Sequence, residues 1–219
     1  MSQMLWQPSR ERINRSNMIR FMEYVNGRFR TDLNDYPELY EWSVQNVADF
    51  WAAVWDFMDV IHSRGYEQVV DDPSKMPGAS WFSGARLNFA ENLLRYRDEE
   101  PAIVFWGETG KPRRLTFAQL YDEVARVAAS MREMGIQPGD RVAGYMPNIP
   151  ETVIAMLAAT SLGAVWSSCS PDFGTQGVLD RFGQIEPRLL FTVDGYSFKG
   201  KQLDLRERLG RILEQIPSV

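Results

Sequence analysis

Gly195, Gly200 and Lys201 stand at the spacing Gly-x-x-x-x-Gly-Lys inside the stretch DGYSFKGKQLDL, residues 194–205. In that arrangement a glycine-rich loop cradles a phosphate chain with backbone N–H groups, and the lysine neutralises its charge. The apolar run RLLFTV before it predicts a strand, and a helix is predicted over 202–216, so strand, loop and helix follow in the order a phosphate loop requires. The chemistry fails at the next position. A phosphate loop needs Ser or Thr after the lysine, to ligate the Mg²⁺ that bridges the phosphates, and here the residue is Gln202. Tyr196 and Phe198 are also bulky where small residues would let N–H groups converge. Three readings stay open on these residues: a degenerate phosphate loop of a nucleotide hydrolase, an ordinary loop with lysines in water, or lysines acting as point charges for another phosphate beside an aromatic ring that stacks on a base.

Other reactive side chains are sparse. His62 is the only histidine, in DVIHSRGY at the end of a predicted helix, and no second His, Cys or carboxylate cluster accompanies it, so a surface or helix-capping role is expected and no metal site. Cys169 ends a predicted strand, a common place for function in open α/β sheets, but no basic neighbour in sequence favours its thiolate, so a packed small residue is expected. Ser167, Ser168 and Ser170 flank it without a histidine nearby to activate them; the loop SPDFGT is expected to shape a site floor and to cap the next helix through Thr175. No catalytic residue is assigned.

Two textures position these residues. Through about residue 95 the chain is rich in aromatics, including Trp6, Trp42, Trp51, Trp55 and Trp81, with helical spacing. Ile13, Met18, Phe21, Met22 and Val25 form one stripe behind a Ser9 cap, and Val47, Phe50, Trp51, Val54, Trp55 and Met58 form another. The Pro- and Gly-containing stretch from Asp71 is expected to be an ordered, irregular wrap closing in a short helix over 87–94. From Pro101 short apolar runs alternate with helical segments. AIVFWGE and RRLTF flank the turn TGKP, which predicts a hairpin. A helix over 117–134 has Thr116 as its cap and stops at Gly135; RVAGYM is a strand; a helix over 149–162 has Asn148 as its cap; AVWSSC is a strand; a helix spans 176–185. Three strand–helix–strand units with short apolar strands predict a parallel sheet covered by helices on both faces.

The composition bounds the function. The chain has 219 residues, 44% of them hydrophobic, enough for one large domain or two small ones. Its net charge of −5 is interspersed, which argues against nucleic-acid and polybasic membrane partners. A single cysteine excludes an intrachain disulfide framework and points to a reducing compartment. No apolar run approaches the roughly 20 residues of a bilayer span, so a cytoplasmic protein is expected.

The segments MPGASWFSGARLNFAENLLR, YMPNIPETVIAMLAATSLGAVWSSCSPDFG and GVLDRFGQIEPRLLFTVDGYSFKGK together resemble the amino-terminal third of the acetoacetyl-CoA synthetase family, within the acyl-adenylate-forming ligase superfamily. The resemblance implies an α/β fold: a helical, aromatic-rich cap over 1–95, then, over 96–219, the first part of a doubly wound AMP-binding domain with its parallel sheet incomplete. It implies small-molecule substrates (acetoacetate, ATP and CoA) with Mg²⁺, and a reaction through an acyl-adenylate to acetoacetyl-CoA, AMP and pyrophosphate. The triphosphate loop, the Mg²⁺ and adenine element, the ribose Asp and the terminal catalytic Lys of such ligases have no counterpart among these 219 residues, so a truncated, inactive chain with an unfinished, self-associating sheet is expected, holding CoA at most. In these ligases a basic-x-Gly-basic segment meets the 3′-phosphate end of CoA. Here it is Phe198, Lys199, Gly200 and Lys201, with Lys201 at the second basic position, Phe198 in place of the first and Lys199 beside it. A related acetyl- or propionyl-CoA synthetase and a stand-alone CoA-binding or regulatory module are the alternatives.

Overall fold

The computed structural model describes residues 5–108, 110 and 112–219, so Thr109 and Lys111 of the predicted TGKP turn lie outside the described residues. The chain divides into two compact units, Met1–Leu87 and Asn88–Val219.

The first unit is a set of helices pinned by polar caps. Helix α1 (Arg10–Asn14) starts at Ser9, whose Oγ accepts from Arg12 N, and α2 (Asn17–Phe29) restarts at Ser16, whose Oγ accepts from Ile19 N. The expected single stripe is therefore split by a second cap, and Phe21, Met22 and Val25 of α2 carry its buried part. Helix α3 (Tyr36–Gln45) begins at Asp35, which accepts from Glu38 N at 3.0 Å. It is followed by α4 (Val47–Phe57). Phe21 meets Phe50 and Phe57 edge-on, at 5.9 and 5.1 Å between ring centroids, the geometry that ring quadrupoles favour. On α4 the buried residues are Ala52, Ala53 and Trp55, whereas Trp51 and Met58 of the expected stripe are exposed. The helix is apolar around most of its circumference, so spacing alone does not select the face that packs. The wrap contains one small antiparallel pair that sequence reasoning missed, β1 (Gln68–Val70) with β2 (Trp81–Ser83). Phe82 of β2 stacks on Trp55 at 5.0 Å.

The second unit opens with α5 (Phe89–Leu93). The expected hairpin follows: β3 (Pro101–Phe105) pairs antiparallel with β4 (Arg113–Thr116). Helix α6 (Phe117–Glu133) starts from a reciprocal capping box, Thr116 with Gln119. Then come β5 (Arg141–Tyr145), α7 (Pro150–Ser161), β6 (Val165–Cys169), α8 (Thr175–Ile185) and β7 (Leu189–Thr192). The three strands form a parallel sheet in the order β6-β5-β7. Two strand–helix–strand units are present where three were expected, because β4 pairs with β3 alone and never joins this sheet.

Alternation along the strands sorts side chains to two cores. Val142, Trp166, Leu189 and Phe191 join Leu120, Val124 and Met131 of α6 and Ile154 and Leu157 of α7. Ala143, Tyr145, Cys169 and Leu190 face the other way, onto Val178 and Phe182 of α8 and Ile212. The sheet is thus covered on both faces, as expected. Within β5, Gly144 leaves room for the Trp166 ring, which a Cβ there would meet at 2.6 Å.

The largest departure from expectation lies in residues 194–205. Residues 195–204 form a hairpin, β8 (Gly195–Phe198) with β9 (Lys201–Asp204), and the helix α9 (Arg206–Leu213) begins four residues later than expected. Lys199 and Gly200 both have positive φ, 51° and 73°. That is the two-residue turn whose twist matches a hairpin's.

Candidate functional site

The strand order locates the site before any side chain is considered. From β5 the chain crosses by α7 to β6 on one side, and from β6 by α8 to β7 on the other. The two crossovers lie on opposite faces, so the loops after β5 and β7 diverge at the carboxyl edge and leave a crevice. A cavity of about 590 Å³ opens there. Its floor is built from the segments that follow the three strands: Pro147 to Ile149 after β5, Ser170 to Asp172 after β6, and Val193 after β7. One wall is Gly195 to Phe198 of β8, and another is Phe105 to Glu108, leading out of β3.

The floor is held rigidly. Tyr145, fully buried at the end of β5, has its hydroxyl 3.0 Å from Pro171 O and 2.8 Å from Phe173 O, and Arg208 of α9 donates to that hydroxyl at 3.2 Å and to Pro171 O at 3.0 Å. One phenol and one guanidinium therefore satisfy the carbonyls of the SPDF loop, and the bond to Tyr145 raises the pKa of Arg208. Ser170 is engaged locally, donating to Asp172 at 3.1 Å. Tyr196 of β8 donates to the same Asp172 at 2.8 Å. Burial first, and then that hydrogen bond to a carboxylate, push the Tyr196 phenol up to about 12.

The remaining candidates separate. Thr175 is the first residue of α8 and gives it no side-chain cap; Gly174 holds the cap position. Asn148 likewise leaves α7 uncapped, the cap position being Ile149, because Pro150 and the Thr152 hydroxyl bond to Pro147 O organise that turn. Cys169 is buried, and its thiol is pushed up chiefly by desolvation, which suits a packing residue. His62 belongs to the first unit, is exposed, lies beyond the end of α4 and has Nδ1 2.7 Å from Val60 O, so it caps no helix. Among the described residues no three His, Cys, Asp or Glu side chains gather in a way that could hold a metal ion.

Phe198, Lys199, Gly200 and Lys201 are brought together at the tip of the β8–β9 hairpin. Phe198 is exposed, as are both lysines, and Lys199 Nζ lies 5.2 Å from the Phe198 ring centre. With β9 directly after the turn and α9 beginning only at Arg206, the turn does not lead into a helix N-terminus, and the phosphate-loop reading loses its geometry. Sequence reasoning missed Glu108. Its two carboxylate oxygens accept from Lys199 N at 2.9 Å and Gly200 N at 3.0 Å. The Gly200 bond, then the Lys199 bond, lower its pKa. Nothing in the local sequence around Gly107 signals that partner, 91 residues away.

Residues 36–93 match the family described as acetyl-coenzyme A synthetase N-terminus, and residues 89–217 match the AMP-binding enzyme family. Acetoacetyl-CoA synthetase of Macaca fascicularis is 43% identical over 99% of this chain and 32% of its own length. The acetoacetyl-coenzyme A synthetase of Rhizobium meliloti (strain 1021) is 46% identical over 97% of this chain and 32% of its own. The solved acetoacetyl-CoA synthetase from Streptomyces lividans superposes with a TM-score of 0.91 at 44% identity, covering all of this chain and 34% of that one. The chain thus spans about a third of the length of these relatives. With its doubly wound sheet, its switch-point crevice and a match over residues 89–217, the chain belongs to the AMP-binding enzyme family, and its sequence is similar throughout to acetoacetyl-CoA synthetases.

Proposed function

We propose that this chain supplies the CoA-recognising portion of an acetoacetate–CoA ligase. In the whole reaction acetoacetate and ATP give an acyl-adenylate and pyrophosphate, and the CoA thiolate then displaces AMP. ATP and Mg²⁺ belong to that whole reaction.

The observation that carries the reading is the hairpin tip. Lys199 lies within the two-residue turn and Lys201 directly follows it, and both stand next to the exposed Phe198, which lines the switch-point cavity. Neither lysine forms an ion pair with a carboxylate among the described residues. Unpaired ammonium groups next to an exposed ring suit a nucleotide's terminal phosphate and base. Phe198 stands where such ligases carry a basic residue, and Lys199 supplies the charge from the adjacent position.

The test compares CoA with 3′-dephospho-CoA by calorimetry on the intact protein. Lys201→Ala is expected to weaken CoA binding about 10-fold or more, the value of a charge-assisted phosphate contact, while leaving dephospho-CoA binding nearly unchanged. Equal loss for both ligands, or none for either, sinks the assignment. Acetoacetate is the proposed acyl substrate because all three relatives above carry acetoacetyl-CoA synthetase in their names. The malonamoyl-CoA synthetase of Penicillium aethiopicum, 40% identical over 99% of this chain, likewise bears the name of a short acyl group with a second carbonyl carbon.

A further inference from the structure

We propose that Glu108 is a resident anion at the phosphate-recognising tip, a built-in competitor that sets how tightly a phosphate is held there. This rests on the reading of Lys199 and Lys201 as phosphate contacts.

Three observations carry it. The carboxylate takes the two consecutive turn N–H groups with one oxygen each, at 2.9 and 3.0 Å. Two adjacent amides converging on a pair of oxygens is the geometry by which backbone turns bind anions, phosphate included. The turn is therefore an anion site already filled by the chain's own side chain. Next, Glu108 uses the amides and not the ammonium groups: neither Lys199 nor Lys201 pairs with it or with another carboxylate among the described residues. A phosphate arriving at the lysines meets a negative charge bonded to the same turn and finds the turn's donors occupied. Finally, the contact joins the segment after β3 to the tip of β8–β9, and both border the same cavity. Loss of the Glu108 contact frees two donors and removes one like charge; both changes favour an incoming phosphate.

The ligand series separates this from the reading beneath it. In Glu108→Gln the side chain keeps its shape and loses its charge. CoA and adenosine 3′,5′-bisphosphate are expected to bind about 3- to 10-fold tighter, dephospho-CoA is expected to be unmoved, and the salt dependence of CoA binding should steepen. Amide hydrogen exchange gives a readout independent of ligands: the Lys199 and Gly200 N–H groups are expected to exchange slowly in the free protein and much faster in Glu108→Ala. If Lys201→Ala weakens CoA binding but Glu108→Gln leaves it equal or weaker, the phosphate reading stands and the competitor is overturned, Glu108 being then a positioning residue for the turn. If neither substitution moves CoA affinity, the phosphate reading fails and takes this proposal with it. Fast exchange at both amides in the unsubstituted protein removes the contact on which the argument rests.

Discussion

Gly195 and Gly210 lie 15 residues apart, and a methyl group would fare differently at each. At Gly195 a Cβ would stand 2.5 Å from the carbonyl oxygen of Leu203, on the paired strand of the hairpin. That atom is backbone held in a ladder, so relief requires β8 and β9 to separate at the base of the tip that carries both lysines. At Gly210, inside α9, a Cβ would meet nothing within 4 Å. Gly195→Ala is expected to destabilise the fold by about 1–3 kcal/mol, as overpacking typically does. Gly210→Ala is expected to stabilise it by about 0.5–1 kcal/mol through the lower entropy of the unfolded chain. Urea unfolding of the two variants checks both signs; similar shifts in one direction would mean that the hairpin backbone yields easily. The sequence shows both residues as glycine and cannot tell them apart, because what distinguishes them is an atom on another strand.

At the scale of elements, Asn88 joins two helices with one side chain. Its Oδ1 accepts from Glu91 N at 3.0 Å, capping α5, while its Nδ2 donates to Thr160 O and Ser161 O at 3.1 Å, at the end of α7. Only an amide does both. Asn88→Asp keeps the acceptor at the start of α5 but places a carboxylate against two carbonyls at the negative end of α7. A loss of about 1–3 kcal/mol is expected, at least as large as for Asn88→Ala, which forfeits the cap as well. Circular-dichroism melts of the two variants decide it, and Asp tolerated as well as Asn would show that the link to α7 contributes nothing. The α5 cap is readable from Asn before an apolar run, but its second partner lies 72 residues on and is invisible to local pattern. The same divide holds elsewhere. Local chemistry announced the Thr116 cap, the β3–β4 hairpin and the two-faced sheet; the reciprocal Gln119 bond that completes a capping box came with the structure. It misplaced the start of the last helix because Lys-Gly is an uncommon way to write a hairpin turn, and Leu203, which lies on a strand, also fits the first turn of a helix. Of the candidate site, the tip residues were legible through resemblance; Glu108, Tyr145 and Arg208 were not, since each acts on a partner distant in sequence.

Across the whole molecule, several carboxylates are more acidic in the fold than in a free chain, and this fixes how acid should act. Asp71 in the first unit is lowered to about 2, first by Lys75 and then by the N–H groups of Ser80 and Asp72. In the second unit Asp204 is lowered to about 2, chiefly by Arg206, Asp140 is lowered chiefly by the Gln137 N–H, and Glu108 by the turn amides. Unfolding breaks these bonds and returns each group to its ordinary value, 3.8 for the Asp residues. Between the two values the unfolded chain binds more protons, so stability is fully present above the ordinary pKa and is lost as pH falls through the folded one. The urea midpoint is therefore expected to be nearly level from about pH 8 to 5 and to drop between about pH 4 and 2. As the carboxylates neutralise, 24 Lys and Arg residues lose their counter-charges and repulsion adds to the loss. Replacing Asp71 and Asp204 together by Asn should lower the midpoint at neutral pH and flatten the acid limb, because the protons they would have taken up on unfolding no longer count. A double variant whose acid limb is as steep as the parent's would place the acid sensitivity in other groups, with the Lys75 and Arg206 pairs screened by solvent to no effect.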